Sequence, residues 1–332
     1  VSTETSAEGS RARTPFHDLA DFVAIPRVTA LRLAPDGSWL AAAVQTLSPD
    51  RKKYLTSLWR IDTGGGPARR LTRSAEGEAS PRFLPDGSLL FTSKRPDPGA
   101  GPARRDGAAA EGPALWLLPP GGGEARIVAA LPGGVTAAEV ARDAGSAVLS
   151  SPVLPAAGHE EADGNSAADD ARLRTERGDA GVTAILHESA PVRYWDHDLG
   201  PDQVRLFAVD PGQLSEAAGP GEECAGLRDL TPEPGRALDD EAFELTPDGT
   251  SVITGWQLWH PAGQSYAELV MIDVATGKRR VLLSAPEYSF SGPRVSPDGR
   301  FIVCPRETQG TPERPPDLTL VLLDVNGAGA AG

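Results

Sequence analysis

Six consecutive residues, Arg193-Tyr194-Trp195-Asp196-His197-Asp198, hold the densest concentration of chemically useful side chains in this 332-residue chain. A guanidinium, carboxylates, an imidazole and two aromatic rings suit charge-assisted recognition of a small charged group. The same residues also suit a plain turn, held by Asp and His hydrogen bonds, with Tyr194 and Trp195 packing. Gly263-Gln264-Ser265-Tyr266-Ala267 is the nearest approach to the G-x-S-x-G turn that exposes a nucleophilic serine. It lacks the second glycine and leads into the strand-like AELVMIDV rather than a helix. His17, His159, His187, His197 and His260 all precede Ser265, whereas in that architecture the histidine follows the serine. The segment reads as a polar hairpin loop, and no catalytic residue is assigned.

Metal chemistry fares no better. His159 to Asn165, with Asp169 and Asp170, misses the spacing of a calcium loop and reads as an acidic solvated insertion. Cys224 and Cys304 form no C-x-x-C pair, so neither a structural zinc site nor a disulfide scaffold follows. Cys304 lies in an apolar run and reads as a small buried hydrophobe. No metal and no organic cofactor is implied. Six tryptophans could make an aromatic face, but Trp59 and Trp116 occupy equivalent places in a repeat, which favours repeated core packing.

Composition narrows the class. Apolar residues make up 39% of the chain, enough for a packed core. Gly (37) and Pro (31) are abundant, which argues for many turns and against long helices. The net charge of −14 argues against nucleic-acid and anionic membrane partners. No apolar run approaches membrane-spanning length, and the first residues carry no apolar leader, so the cytoplasm is the simplest address.

The elements that must position these residues are repeats. LAPDGSWLAAAV (33–44), FLPDGSLLFTS (83–93), LTPDGTSVITG (245–255) and VSPDGRFIVCP (295–305) each place Pro-Asp-Gly between two apolar runs, and VARDAGSAVLSS (140–151) is a worn copy. Pro pre-sets the first corner of the turn, Asp tolerates the next, and Gly takes the left-handed position. A third strand follows each hairpin (SLWRIDTGGG, ALWLLPPGGG, RLFAVDPG, LVMIDVATG, LTLVLLDVNG). Then comes a fourth, basic then apolar (ARRLT, EARIVAAL, LRDLT, KRRVLLSA). Four antiparallel strands per unit make one propeller blade.

The turn aspartates Asp36, Asp86, Asp143, Asp248 and Asp298 recur about every 50 residues, with a double gap between Asp143 and Asp248. That gap holds either a blade without the turn motif or one blade with a long insertion. The expected fold is therefore an all-β propeller with about six blades visible of a seven-blade ring. Residues 1–13 read as a disordered lead. A helical segment over 14–30 starts at Thr14-Pro15 and ends before Pro26, with Phe16, Leu19, Ala20 and Phe22 on one face. The propeller takes residues 31–332. Lys94 to Gly112 reads as a flexible surface loop. The last blade stops after its third strand, so the chain reads as a fragment of a longer protein, unless the N-terminal segment or another chain supplies the fourth strand; the open sheet edge favours association, a homo-oligomer included.

FHDLADFVAIPRVTALRLAPDGSWLAAAV (16–44), LWLLPPGGGEARIVAALPGGV (115–135) and PVRYWDHDLGPDQVRLFAVD (191–210) resemble, in this order, the N-terminal propeller of serine peptidases of the prolyl oligopeptidase family. The branch is that of acylaminoacyl-peptidases and dipeptidyl-aminopeptidase-like enzymes, and the resemblance spans residues 14–325. It implies a partner that this sequence lacks, a C-terminal α/β-hydrolase domain carrying a Ser-Asp-His triad. It also implies short peptides as substrates, with the propeller as a non-catalytic gate. The Arg193–Asp198 cluster would then lie near the propeller mouth or the interface with the peptidase domain, where it could meet a peptide terminus. Two rivals stand beside this reading. One is a free-standing propeller that binds protein or peptide partners. The other is a propeller with its own channel site, which would need acids, histidines or metal ligands at equivalent positions of several blades, and none stands out.

Overall fold

The computed structural model describes residues 14–96, 112–157, 166–187, 191–195, 197–215, 226–259 and 264–325. The expected lead (1–13), most of the expected loop (97–111) and the core of the calcium-like stretch (158–165) lie outside these residues.

Each apolar-turn-apolar unit folds as its chemistry dictates. In blade 1, β1 (Arg27–Leu33), β2 (Trp39–Leu47), β3 (Tyr54–Asp62) and β4 (Arg69–Arg70) pair in sequence order. Blade 2 repeats this with β5 (Ala79–Phe83), β6 (Leu89–Ser93), β7 (Ala114–Leu118) and β8 (Arg126–Ala129). The turn between the first two strands closes when the glycine N–H reaches back, as from Gly37 to Ala34 O (2.9 Å) and from Gly87 to Leu84 O (2.9 Å). The aspartate braces it, Asp36 Oδ1 accepting from the backbone N–H (3.0 Å) and hydroxyl (2.8 Å) of Ser38. Gly249 shows why glycine is needed there. Its φ is +73°, and a Cβ would lie 3.2 Å from Ala141 in the neighbouring blade's turn.

Blade 3 contains β9 (Ala137–Val140), β10 (Ala147–Val153), β13 (Gln203–Val209) and β14 (Arg228–Asp229). Between its second and third strands lies the insertion that fills the double gap. It carries helix α2 (Ser166–Asp179) and a small hairpin of β11 (Arg193–Tyr194) with β12 (His197–Asp198). Blade 4 contains β15 (Phe243–Leu245), β16 (Ser251–Trp259), β17 (Ser265–Asp273) and β18 (Arg279–Leu283). In blade 5 the inner strand is broken into β19 (Tyr288–Phe290) and β20 (Arg294–Val295). Both pair with β21 (Phe301–Thr308), which pairs on its other side with β22 (Leu318–Asp324). Pro293, which has no N–H to donate, falls in the break.

The described blades therefore number five, not six. The long spacing from Asp143 to Asp248 is one blade with an insertion, because β13 pairs directly with β10 across it. The last blade has three strand positions, as expected. The insertion also corrects the solvated reading of its acids. Asp169 and Asp170 are 1% and 0% exposed on α2. At the N-terminus, Thr14 precedes only a short 3-10 turn, Pro15–His17, without capping it. Asp18 caps the true helix, α1 (Leu19–Val23), by accepting from the N–H groups of Ala20 and Asp21. Phe16 and Leu19 stay exposed, so the proposed apolar face has no described partner on the propeller.

The core lies between blades rather than within them. One apolar cluster joins blades 1 and 2 (Ala41, Leu58, Phe91, Trp116), and three more join blades 2 and 3, 3 and 4, and 4 and 5. The fifth-blade cluster includes Cys304, 1% exposed, whose thiol burial pushes up to about 11. On the far sides of the two end blades, Val28, Leu31 and Leu33 of β1 and Leu318, Leu320 and Leu322 of β22 are exposed. No helix among the described residues is long and apolar enough to cross a membrane.

Candidate functional site

The inner strands β1, β5, β9, β15 and β20 stand side by side around the axis, each touching the next. Their registers can be aligned without ambiguity. In every blade one residue closes the turn hairpin with its N–H: Ala34, Leu84, Ala141, Thr246 and Ser296. The residue two places earlier is Arg32, Arg82, Glu139, Glu244 and Arg294. Five charged side chains thus occupy one level of the five inner strands. That they converge is shown by Arg32, whose guanidinium feels Arg82, Glu139, Arg294 and Glu244 together.

The ring is unevenly paired. Arg82 grips Glu139 with two parallel hydrogen bonds, Nε to Oε2 and Nη2 to Oε1, the strong bidentate form. Arg294 faces Glu244 loosely, Nη1 to Oε2 at 3.6 Å, and its side chain is 63% exposed. Glu244 Oε2 is buried without a hydrogen bond. Burial raises the carboxyl of Glu244 above its ordinary value, against the pull of Arg294 and a backbone hydrogen bond from Val295. Arg32 has no carboxylate within ion-pair distance among the described residues. Its Nη1 donates to its own neighbour, Leu31 O, at 2.8 Å. Arg82 and Arg294 fold back in the same way, onto Pro81 O and Pro293 O, both at 2.8 Å.

Sequence reasoning looked for acids, histidines or metal ligands at equivalent positions and found none; a ring made mostly of arginines is outside that search. The signal was present as RLAPD, RFLPD, EVARD, ELTPD and RVSPD. It escaped notice because the recurring property is charge, of either sign, and not one residue type. Among the described residues, no group of three or more His, Cys, Asp or Glu side chains is placed to hold a metal ion.

The Arg193–Asp198 cluster lies on the blade 3 insertion. Arg193 Nε and Asp198 Oδ1 stand 3.6 Å apart across the small hairpin, both exposed. Trp195 is 98% exposed at φ +40°, so it does not pack as the turn reading required. Asp196 and the side chain of His197 lie outside the described residues. Tyr194 is half-buried, and its phenol is pushed up to about 12 by burial and by the carboxylates of Asp239, Asp240 and Glu241. The hairpin therefore sits beside the turn leading into β15. Ser265 begins β17 and pairs with Trp259 in a hairpin, far from any strand-to-helix elbow. Gly263 lies outside the described residues.

Glu241 in that turn is a second perturbed group. Burial raises its carboxyl to about 7, although a Gln257 hydrogen bond pulls the other way. Its Oε2 is buried and unbonded, and only the missing side chain of Gly255 leaves room for it. The carboxyl titrates near 4.5 when unfolded and near 7 when folded, so the folded state alone keeps the proton in between. Stability from this group is present below pH 4.5 and lost as the pH rises towards 7. Glu241→Gln is expected to flatten that slope and to stabilise the protein at pH 8 by about 1–3 kcal/mol. Urea unfolding at pH 5 and pH 8 checks this, and an equal effect at both would refute it.

No protein-family model and no curated protein sequence matches the chain. Solved structures do match it in shape. Acylaminoacyl peptidase from Pyrococcus horikoshii superposes with a TM-score of 0.57 at 13% identity, over 94% of this chain and 40% of that one. A puromycin-hydrolyzing peptidase of Mycobacterium tuberculosis gives 0.52 at 16% identity, over 92% and 38%. An oligogalacturonate lyase solved with manganese gives 0.53 at 13%, over 90% and 62%. The chain thus spans about two fifths of each peptidase's length. Likeness at such low identity establishes the fold, and two enzyme classes share it here. The chain is a β-propeller domain of the architecture found in these peptidases.

Proposed function

We propose that this chain is the non-catalytic, substrate-gating propeller of a serine peptidase of the prolyl oligopeptidase family. The catalytic domain would be an α/β-hydrolase outside this chain, and the substrates would be short peptides. The observation that carries the reading is the superposition on acylaminoacyl peptidase, which takes in nearly all of this chain and under half of that enzyme. The phrases over 16–44, 115–135 and 191–210 support it independently. In this reading the enclosing domain performs acyl transfer through a serine nucleophile with a histidine base. In this reading the propeller contributes the charged ring on its inner strands, and the Arg193–Asp198 hairpin, beside the Asp239–Glu241 turn, would meet a peptide terminus.

The test is made on the native host. An antibody to this chain should detect a species well above 34.7 kDa that a fluorophosphonate labels. An unlabelled species of 34.7 kDa would overturn the reading.

A further inference from the structure

We propose that the axial ring is a carboxylate-binding site, in which Arg32, flanked by Arg294, takes the free C-terminal carboxylate of a short peptide entering along the axis. This rests on the gating reading for the identity of the ligand, and on the ring alone for its chemistry.

Three Arg and two Glu share one level of the axis. Glu139 is satisfied by Arg82, with side chains only 21% and 14% exposed. Glu244 is engaged, loosely, by Arg294. What remains is the charge of Arg32, beside two further guanidinium groups. A guanidinium presents five N–H donors in a fixed fork, and Arg32 spends one on Leu31 O. The remaining donors match a planar, bidentate acceptor, the geometry of a carboxylate. Burial and the nearby positive charges of Arg82 and Arg294 both disfavour the Arg32 cation. A bound anion would offset both. The other groups facing Arg32 are the two carboxylates already engaged, so an incoming anion meets net attraction. Neither outer-surface arginines nor the exposed Arg193 combine convergence, partial burial and this free valence.

The experiment compares Ala-Ala-Ala with its C-terminal amide, binding to the full-length protein by calorimetry at low salt. The free acid should bind at least about tenfold more tightly than the amide. Arg32→Gln should abolish that preference, and Arg32→Lys should restore part of it as a point charge. Arg142→Gln, at an exposed turn, should leave it intact. Arg32 anchors none of the described residues by an ion pair, so Arg32→Gln should fold, and its melting curve verifies this. Equal binding of acid and amide, or a preference that survives Arg32→Gln, overturns the site. Acetate competing as well as the tripeptide overturns the peptide as its source. Serine labelling does not involve Arg32. A protein that binds the free acid but resists fluorophosphonate therefore keeps the site and loses the gating reading.

Discussion

Arg205→Met is expected to destabilise the protein by about 3–5 kcal/mol, the cost of breaking a buried ion pair and leaving its partner behind. Arg205 is 0% exposed on β13. Its Nη1 bonds Asp229 Oδ2 at 3.1 Å and Ala157 O at 3.0 Å, and its Nη2 bonds Pro155 O at 3.1 Å. One side chain therefore closes the outer edge of blade 3 and pins the start of the insertion. Methionine fills similar volume, so the loss would be electrostatic, with Asp229 stranded and the carbonyl groups of Leu154, Pro155 and Ala157 short of a donor. A second change, Asp229→Asn, should recover part of the loss by removing the stranded charge. The measurement is urea unfolding of both variants. A loss under about 1 kcal/mol would show that the pair acts like an exposed one. Beyond Arg205, the insertion is tied down by Asp170, which accepts from Leu154 N–H at 2.9 Å and Arg174 Nε at 2.9 Å. Arg236 Nη1 adds a bond to Asp202 O at 2.8 Å.

Trp116→Ala should cost a similar amount, about 3–5 kcal/mol, as a large buried ring gives way to a cavity. Trp116 is 0% exposed in the cluster between blades 1 and 2, and its indole N–H reaches Ser93 O at 3.2 Å. Its counterpart Trp59 is only half-buried and spends its indole N–H locally on Ser57 Oγ, so Trp59→Ala should cost substantially less. Equal losses in thermal melts would show that the two blades pack alike. Ala30 of β1 and Phe83 of β5, close in sequence to Arg32 and Arg82, pack against this cluster. Carboxylate binding should therefore weaken in Trp116→Ala even under conditions where the variant stays folded.

What the sequence made legible follows from how specific each local requirement is. The Pro-Asp-Gly turns were legible because few residues satisfy that backbone, and Gly37, Gly87, Gly249 and Gly299 all adopt positive φ there. The basic fourth strands appear where ARRLT, EARIVAAL, LRDLT and KRRVLLSA stand. The blade count was not legible, because an insertion as long as a blade is indistinguishable from one by spacing alone. Helix α2 was hidden by its polarity. SAADDARLRTERGD suits a helix by propensity, yet it shows little apolar periodicity. Its anchoring instead comes from Asp170 and Arg174, an i,i+4 pair whose members also hold the distant Leu154 N–H and Asp202 carboxylate. The Arg193–Asp198 cluster drew attention by density of residue types, and among its described residues it is Tyr194 that is half-buried, beside the Asp239–Glu241 turn. The axial ring was the reverse case, five separate charges joined only by strand register.

The four interblade clusters carry a thermodynamic consequence. Each blade leans on its neighbours, and no described apolar cluster joins blade 5 to blade 1. Energetically the described molecule is then a row and not a ring, a sum of unit and nearest-neighbour terms of the kind that governs repeat arrays. Blades 1 and 5 are each supported on one side, and blade 3 on both and by its clamped insertion. Unfolding should begin by peeling at the outer blades, with blade 3 surviving as the last cooperative unit. The axial ring, which needs side chains from every blade, would then be the first feature lost.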